Sequence, residues 1–298
     1  MRIAAWQYPI EQLASWDAWR DKLAAGIAEA AARGAELCVV PEYASMELTS
    51  LLPLEIQGDL AAQLGALQPL LPGYVAAYAE LARQHRIAIV AGSFPEARGG
   101  GFRNRLRVHG PDGGAVEVEK LQMTRFERER WGVDAGEGQA VIELPARLGG
   151  ARIGVAICYD AEFPLVVRRL TAAGAQVIAV PSCTDGLAGY HRVRIACAAR
   201  ALESQCYVVQ APTVGLAPWS IAVDENVGAA GVFAPADRGF PDDGVVALGA
   251  LNEPGWLVAD VDLAALDRVR ACGQVLGHRD WDRGEHLAGE VARAALAP

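Results

Sequence analysis

The sequence predicts an α/β fold in which helices cover sheets, built as one domain. Three observations predict it. Short apolar runs rich in Val, Ile and Leu alternate with amphipathic stretches of helical period through the first half. A turn of Gly110-Pro111-Asp112-Gly113-Gly114 joins two further runs into a hairpin in the middle. Strand–helix pairs return in the second half.

The elements follow in order. Residues 2–7 read as a strand. Residues 16–32 read as a helix, with Ala, Leu and Ile on one side and Asp, Lys, Glu and Arg on the other; Ser15 is its N-cap and Gly34 the residue past its end. Residues 37–40 form a short strand stopped by Pro41. A helical pattern over 54–85 is broken near Pro69 and Pro72, because proline lacks an N–H and crowds the preceding turn. Residues 87–91 are a buried strand, and 102–109 and 115–120 are the arms of the hairpin. Residues 141–144 and 152–157 continue the strand pattern. A helix over 161–173 ends at Gly174, a strand over 176–180 stops at Pro181, and a long helix over 187–206 precedes a strand over 207–211. Short strands are expected over 220–223, 229–234, 244–248 and 256–261. Residues 1–267 therefore read as one domain, since Gly99-Gly100-Gly101 is too short a linker to divide it. The mixed, polar segment 268–298 reads as an extended tail packing on this domain or on a partner subunit.

Composition narrows the function. With 52% hydrophobic residues the 298-residue chain has material for a sizeable core, and its 32 glycines carry no three-residue period. A net charge of −9 argues against bulk nucleic-acid binding, which needs a cationic face. No apolar run approaches the ~18–20 residues that span a bilayer. The opening Met1-Arg2-Ile3-Ala4-Ala5-Trp6-Gln7 reaches Glu11 and Asp17 with no signal-type apolar stretch. Six cysteines without a CxxC pair read as free thiols, so a cytoplasmic protein is expected. No HxxH, HExxH or CxxC pair marks a metal site, no GxxxxGK[ST] loop occurs, and Tyr8-Pro9-Ile10-Glu11 has no dinucleotide glycines. Neither metal nor cofactor is expected.

Functional residues of α/β proteins collect beyond the carboxyl ends of strands. Here Glu42 follows the run ending at Pro41, Lys120 ends the second hairpin arm, and Cys158 follows Ile153-Gly154-Val155-Ala156-Ile157. Taken singly, each has an ordinary explanation: a solvated loop carboxylate, an edge lysine, a small core residue. Their flanks change the reading. Pro41-Glu42-Tyr43, Lys120 with Glu127, and Cys158-Tyr159-Asp160-Ala161-Glu162-Phe163-Pro164 stand in order. So do Ala91-Gly92-Ser93-Phe94-Pro95-Glu96, Asn104 and Ala199-Arg200-Ala201-Leu202-Glu203-Ser204. The set resembles the nitrilase superfamily, the carbon–nitrogen hydrolases with a Glu–Lys–Cys triad.

That resemblance implies a four-layer α-β-β-α sandwich and a hydrolase acting on a non-peptide C–N bond of a small carboxamide. It implies Cys158 as nucleophile, Glu42 as base, Lys120 as oxyanion-stabilising cation and Glu127 as a supporting carboxylate. A thiol of pKa ~8.5 needs a base to become a thiolate near neutrality. The backbone N–H of Tyr159 is a second donor for the oxyanion. Tyr43, Tyr159 and Phe163 flank the triad as acyl-pocket candidates. Cys183 and Thr184, beyond the strand ending at Pro181, face the same cleft by the strand-end argument. Tyr159 and Asp160 stand where nitrile-hydrolysing members have Trp and Glu, which is similar to the amidase branches. Glu162-Phe163-Pro164-Leu165 replaces Arg-Phe-Pro-Glu, and Ser204 replaces an Asn. Family members assemble as dimers or larger, so a homo-oligomer is implied, with no membrane or nucleic-acid partner.

Other readings stay open at this stage. These are a nitrile or N-carbamoyl hydrolase, an acyltransferase on the same triad, a binding protein on the same fold, and a Cys–His hydrolase through His191 or His85. Arg103, Arg105, Arg125, Arg192 and Arg194 are candidates for a substrate carboxylate, as in an ω-amidase.

Overall fold

The computed structural model describes residues 1–289 and 293. In chain order its elements are β1 (Arg2–Pro9), α1 (Trp16–Ala32), β2 (Leu37–Val39), α2 (Leu54–Gln57), α3 (Leu60–Leu67), α4 (Leu71–His85) and β3 (Ala88–Val90). Then come β4 (Phe94–Arg98), β5 (Gly101–His109), β6 (Ala115–Glu119), β7 (Val133–Asp134), β8 (Ile142–Glu143), β9 (Arg152–Val155), α5 (Pro164–Ala172) and β10 (Val177–Ser182). The chain continues through α6 (Leu187–Ser204), β11 (Tyr207–Leu216), β12 (Glu225–Asn226), β13 (Gly231–Phe233), β14 (Val245–Leu248), β15 (Gly255–Asp260), α7 (Leu263–Cys272) and α8 (Gly277–Ala288).

Two sheets form the centre. The first runs β4-β5-β3-β2-β1, with β15 antiparallel on β1 and with β6 and β7 on β5. The second runs β8-β9-β10-β11, with β13 and β14 beyond. The end of β1 joins them, pairing Tyr8 with Thr213 and Pro9 with Val214 in parallel. Side chains alternate across each strand. Ile3, Ala5, Leu37, Val39, Ala88 and Val90 enter the core shared with the second sheet. Ala4, Trp6, Tyr8, Cys38, Val40 and Ile89 pack with Trp19, Leu23 and Ile27 of α1 and Tyr74, Tyr78 and Leu81 of α4. Val166, Val167 and Leu170 of α5 and Val193, Ala196 and Cys197 of α6 cover the second sheet. The result is the α-β-β-α sandwich.

Local chemistry explains the boundaries. Ser15 caps α1, its hydroxyl accepting from Ala18 N–H at 3.1 Å, and Gly34 follows with φ +81°. Pro72 and Pro164 each lie in the first turn of a helix, where the missing N–H costs nothing. The helical pattern over 54–85 is interrupted near Pro69 and Pro72 as expected, α3 ending at Leu67 and α4 starting at Leu71; one expectation is corrected, because α5 begins at Pro164 rather than at Ala161, residues 158–162 forming a separate 3₁₀ turn. β10 and β11 run on through Pro181 and Pro212, which keep an extended backbone and lose only a donor. Residues 220–223 make turns rather than the expected strand: Ser220 N–H closes a turn on Ala217 O at 2.8 Å around Pro218. β4 escaped the sequence reading because Pro95, Glu96 and Arg98 interrupt its apolar pattern.

From residue 268 the segment read as extended is largely helical where described, with residues 273–276 joining two helices. Arg268 lies in α7, and α8 packs on α6. Arg168 donates to His278 O and to Asp282, both at 3.0 Å, which ties α8 to α5. The rest of that segment, apart from Arg293, lies outside the described residues.

Candidate active site

Glu42 lies three residues past β2, Cys158 three residues past β9, and Lys120 directly after β6. Two parallel strands from different sheets and a hairpin arm thus deliver a carboxylate, a thiol and an ammonium to one place. All three side chains are buried, at 1%, 4% and 1% exposure respectively, and all three line one cavity of about 520 Å³. Glu127 lines it too.

Lys120 Nζ donates to Glu42 Oε1 at 2.8 Å and to Glu127 Oε2 at 2.7 Å. Asn104 Nδ2 bridges the same carboxylates, at 2.9 Å to Glu42 and 3.3 Å to Glu127. Glu42 Oε2 accepts from the Cys183 backbone N–H at 3.1 Å. Glu127 accepts in addition from the Tyr43 hydroxyl at 2.8 Å and from the Thr124 N–H and hydroxyl, both at 2.9 Å. A buried charge is tolerable only when paired and hydrogen-bonded, and these contacts supply that.

The donors divide the two carboxylates. Burial raises Glu42, Lys120 opposes it and Glu127 raises it further, leaving Glu42 pushed up to about 7. Burial also raises Glu127, but Lys120, Thr124 and Tyr43 outweigh it and hold that carboxyl below its ordinary range. Burial alone would lower Lys120; the two carboxylates overcome it and keep the ammonium charged. Burial and the neighbouring Glu42 charge hold the Cys158 thiol well above its ordinary value, so at rest it is protonated. A neutral thiol beside a carboxylate poised near 7 is an arrangement for proton transfer on demand.

Backbone strain sits at the same place. Cys158 has φ +49° and Tyr43 φ +53°, a region non-glycine residues visit at a cost. Ser93 fixes the second: its hydroxyl accepts from Tyr43 N–H at 2.9 Å, and its carbonyl accepts from the Ser45 hydroxyl at 2.7 Å. Arg200, buried on α6, donates to Ala161 O at 3.1 Å and holds the turn that starts at Cys158.

The flanking candidates divide. Tyr43, Tyr159, Cys183 and Thr184 line the cavity. Phe163 is not among its lining residues; it stands edge-on to Tyr159 at 4.9 Å and packs on the core. Neither His191 nor His85 lines the cavity. Of the arginines, Arg125 and Arg192 do; Arg125 pairs with Glu129 at 2.8 Å and Arg192 with Glu162 at 3.3 Å. Arg103 pairs with Asp134 and Arg105 with Glu96 and Glu117, away from the cavity. The sequence reading missed Trp131 and Phe126, which add aromatic wall; Trp131 stacks at a tilt on Tyr43 at 4.8 Å. It missed Thr124 as well, and it saw Asp160 only as a motif residue without a role. Asn104, Ser93 and Arg200 were visible within matching motifs, without a role.

Among the described residues, no group of His, Cys, Asp and Glu is arranged to hold a metal ion, and no helix is long and apolar enough to cross a membrane.

The carbon-nitrogen hydrolase family model matches residues 2–271. The probable hydrolase YhcX of Bacillus subtilis is 31% identical over 95% of this chain and 54% of its own length. The deaminated glutathione amidase of Rattus norvegicus is 32% identical over 47% of this chain and 40% of its own length. The chain thus spans about half the length, or less, of these curated relatives. Among solved structures, the amidase from Nesterenkonia sp. AN1 superposes with TM-score 0.65 at 25% identity, over 94% of this chain and 99% of that one. That structure is of a mutant showing the result of Michael addition of acrylamide at its active-site cysteine.

Proposed function

The chain belongs to the carbon-nitrogen hydrolase family, and from that premise we propose that it is an amidase acting on a small carboxamide through a thioester at Cys158. The observation that carries the reading is the meeting of a protonated thiol, a carboxylate near 7 and a fixed ammonium in one cavity. Glu42 takes the Cys158 proton as sulfur attacks the amide carbon, and the carbonyl electron pair moves onto oxygen. Lys120 and the Tyr159 N–H hold that oxyanion; a preorganised donor of this kind is worth ~10²–10³ in rate. Collapse breaks the C–N bond, and Glu42 returns the proton to the departing ammonia or amine. Glu42 then takes a proton from water, which attacks the thioester. The second collapse expels the thiolate, which recovers its proton from Glu42. Glu127 stays ionised throughout and fixes Lys120. The amidase relatives and the acrylamide adduct at a neighbour's cysteine support this reading.

Intact mass spectrometry during turnover of an amide panel, with ammonia assayed alongside, tests it. The expected result is an acyl-mass adduct on the native chain that is absent in Cys158→Ala. A panel of amides, nitriles and carbamoyl compounds that never labels Cys158 overturns it. With an added amine, an N-acyl product in place of the carboxylate marks acyl transfer instead.

We propose further that the chain acts in the cytoplasm as a homo-oligomer. Leu165 of α5 and Ile195 and Leu202 of α6, spaced seven apart on one helix face, expose large apolar side chains. Light scattering reads the assembly, and Ile195→Lys is expected to lower its mass.

A further inference from the structure

Lys120 and Cys158 come from different sheets, by way of β6 and β9. Among the described residues, no backbone hydrogen bond joins residues 119–122 to residues 156–160. One side chain makes that connection. Asp160 Oδ1 accepts from Gln122 N–H at 2.7 Å and from Leu121 N–H at 3.1 Å; Oδ2 accepts from Ile157 N–H at 3.1 Å. The first two donors directly follow Lys120, and the third directly precedes Cys158. Asp160 itself is buried, at 2% exposure.

We propose that Asp160 is a positioning residue: it ties the strand end carrying Lys120 to the turn carrying Cys158, and so sets the place of the ammonium relative to the attacking sulfur. The inference rests on the reading of Lys120 as the oxyanion cation. A residue that merely capped the 158–162 turn would need the Ile157 N–H alone. The two donors from the other sheet are surplus to capping. They make this carboxylate a clamp between elements that share no backbone hydrogen bond among the described residues. Charge-assisted bonds from backbone donors are short and directional, which suits a fixed separation.

Two reactions of the same thiol separate positioning from general support of the fold. Alkylation by iodoacetamide uses the sulfur and its base and develops no oxyanion. Acylation by an amide needs the sulfur and the cation in register. Asp160→Asn keeps the shape, but its NH₂ faces a backbone donor, so one arm is lost. Asp160→Ser keeps a hydroxyl for Ile157 N–H and is too short to reach residues 121 and 122, so a folded variant is available if Asn disrupts the turn. Rates are taken per folded chain, counted from the native unfolding transition of each preparation, and alkylation is read at Cys158 by peptide mass spectrometry, since the chain has six free cysteines. In both variants we expect acylation to fall by ~10² while alkylation of Cys158 stays within about threefold, the pattern of a mislaid oxyanion donor. Equal loss in both reactions, or no loss of acylation, overturns the proposal. Lys120→Met serves as the reference. If it shows selective loss and the Asp160 variants do not, the clamp fails and the amidase reading stands; if Lys120→Met itself loses no acylation, the reading of Lys120 fails.

Discussion

Glu42 and Glu127 share one ammonium, Lys120 Nζ, at 2.8 and 2.7 Å, yet the site shifts the two carboxyls in opposite directions, Glu42 up and Glu127 down. Glu127 accepts five hydrogen bonds and Glu42 three, all from protein groups. The richer donor set keeps Glu127 ionised, and its charge in turn raises Glu42. One residue is thereby a fixed anion and the other an exchangeable proton carrier.

The pH dependence follows with a definite sign. Glu42 must be ionised to accept the thiol proton, so kcat/KM is expected to rise with pH through about 7 and to fall away below it. Glu127→Gln removes one of the charges that raise Glu42. The ascending limb then moves to lower pH, while the maximal rate drops because Lys120 loses an anchor. A limb that stays in place, or moves upward, contradicts this charge coupling.

The nucleophile is expected to rest as a thiol. Burial and Glu42 raise Cys158, and the ammonium that would favour a thiolate is engaged by two carboxylates. Difference ultraviolet absorbance between the native chain and Cys158→Ser is therefore expected to show no thiolate at neutral pH. The outcome distinguishes this site from a thiolate–imidazolium pair, in which the thiolate is preformed. A thiolate signal at neutrality contradicts the arrangement.

Removing the cation affects both rate and stability. Lys120→Met leaves two buried carboxylates without a counter-charge, and breaking a buried pair costs ~3–5 kcal/mol. The loss depends on pH. Without Lys120 both carboxyls have folded pKa values above the unfolded ~4.3, so their protonated forms are favoured in the fold and stability is full below that value. It declines as pH rises through the raised folded values. Thermal unfolding from acid to alkaline pH is expected to show a native-minus-variant gap that widens with pH. A constant gap contradicts the assignment of the loss to these two charges.

The sequence made the triad legible because each member follows a strand end, where a short apolar run and a proline or turn mark the boundary. The strand ends made Lys120, Glu42 and Cys158 candidates, and it was the resemblance of their ordered flanks to a known family that assigned them as a triad. Asp160 was less legible: its neighbours in the chain show a capping position, while two of its three donors lie 38 and 39 residues away. The roles of Asn104 and Thr124 were hidden for the same reason, since their contacts with Glu42 and Glu127 form only when the sandwich closes. Phe163 was misplaced because an aromatic next to a nucleophile turn can face the cavity or the core, and sequence gives no sign of which. The prolines gave mixed signals: Pro41 and the stretch around Pro69 and Pro72 mark real boundaries, whereas Pro181, read as a stop, lies inside β10.

Two glycines in helices carry opposite expectations. An exposed helical glycine replaced by alanine usually gains up to ~1 kcal/mol, because alanine restricts the unfolded chain and favours helical backbone. Gly65 in α3 meets this condition: an added methyl group finds nothing within 4 Å. Gly26 in α1 does not, because a Cβ there would stand 2.2 Å from the Trp6 ring, which itself stacks on Trp256 at 4.6 Å. Trp256 Nε1 also donates to Gly26 O at 2.9 Å, so the helix, the indole pair and β1 are locked together with no room to move. Overpacking of this kind costs ~1–3 kcal/mol, more than the helical gain. Gly65→Ala is expected to raise the thermal midpoint and Gly26→Ala to lower it, with catalytic parameters per folded site unchanged in both. Denaturant unfolding of the two variants beside the native chain reads both signs at once, and a gain at Gly26 would show that the α1–β1 contact is looser than its distances state.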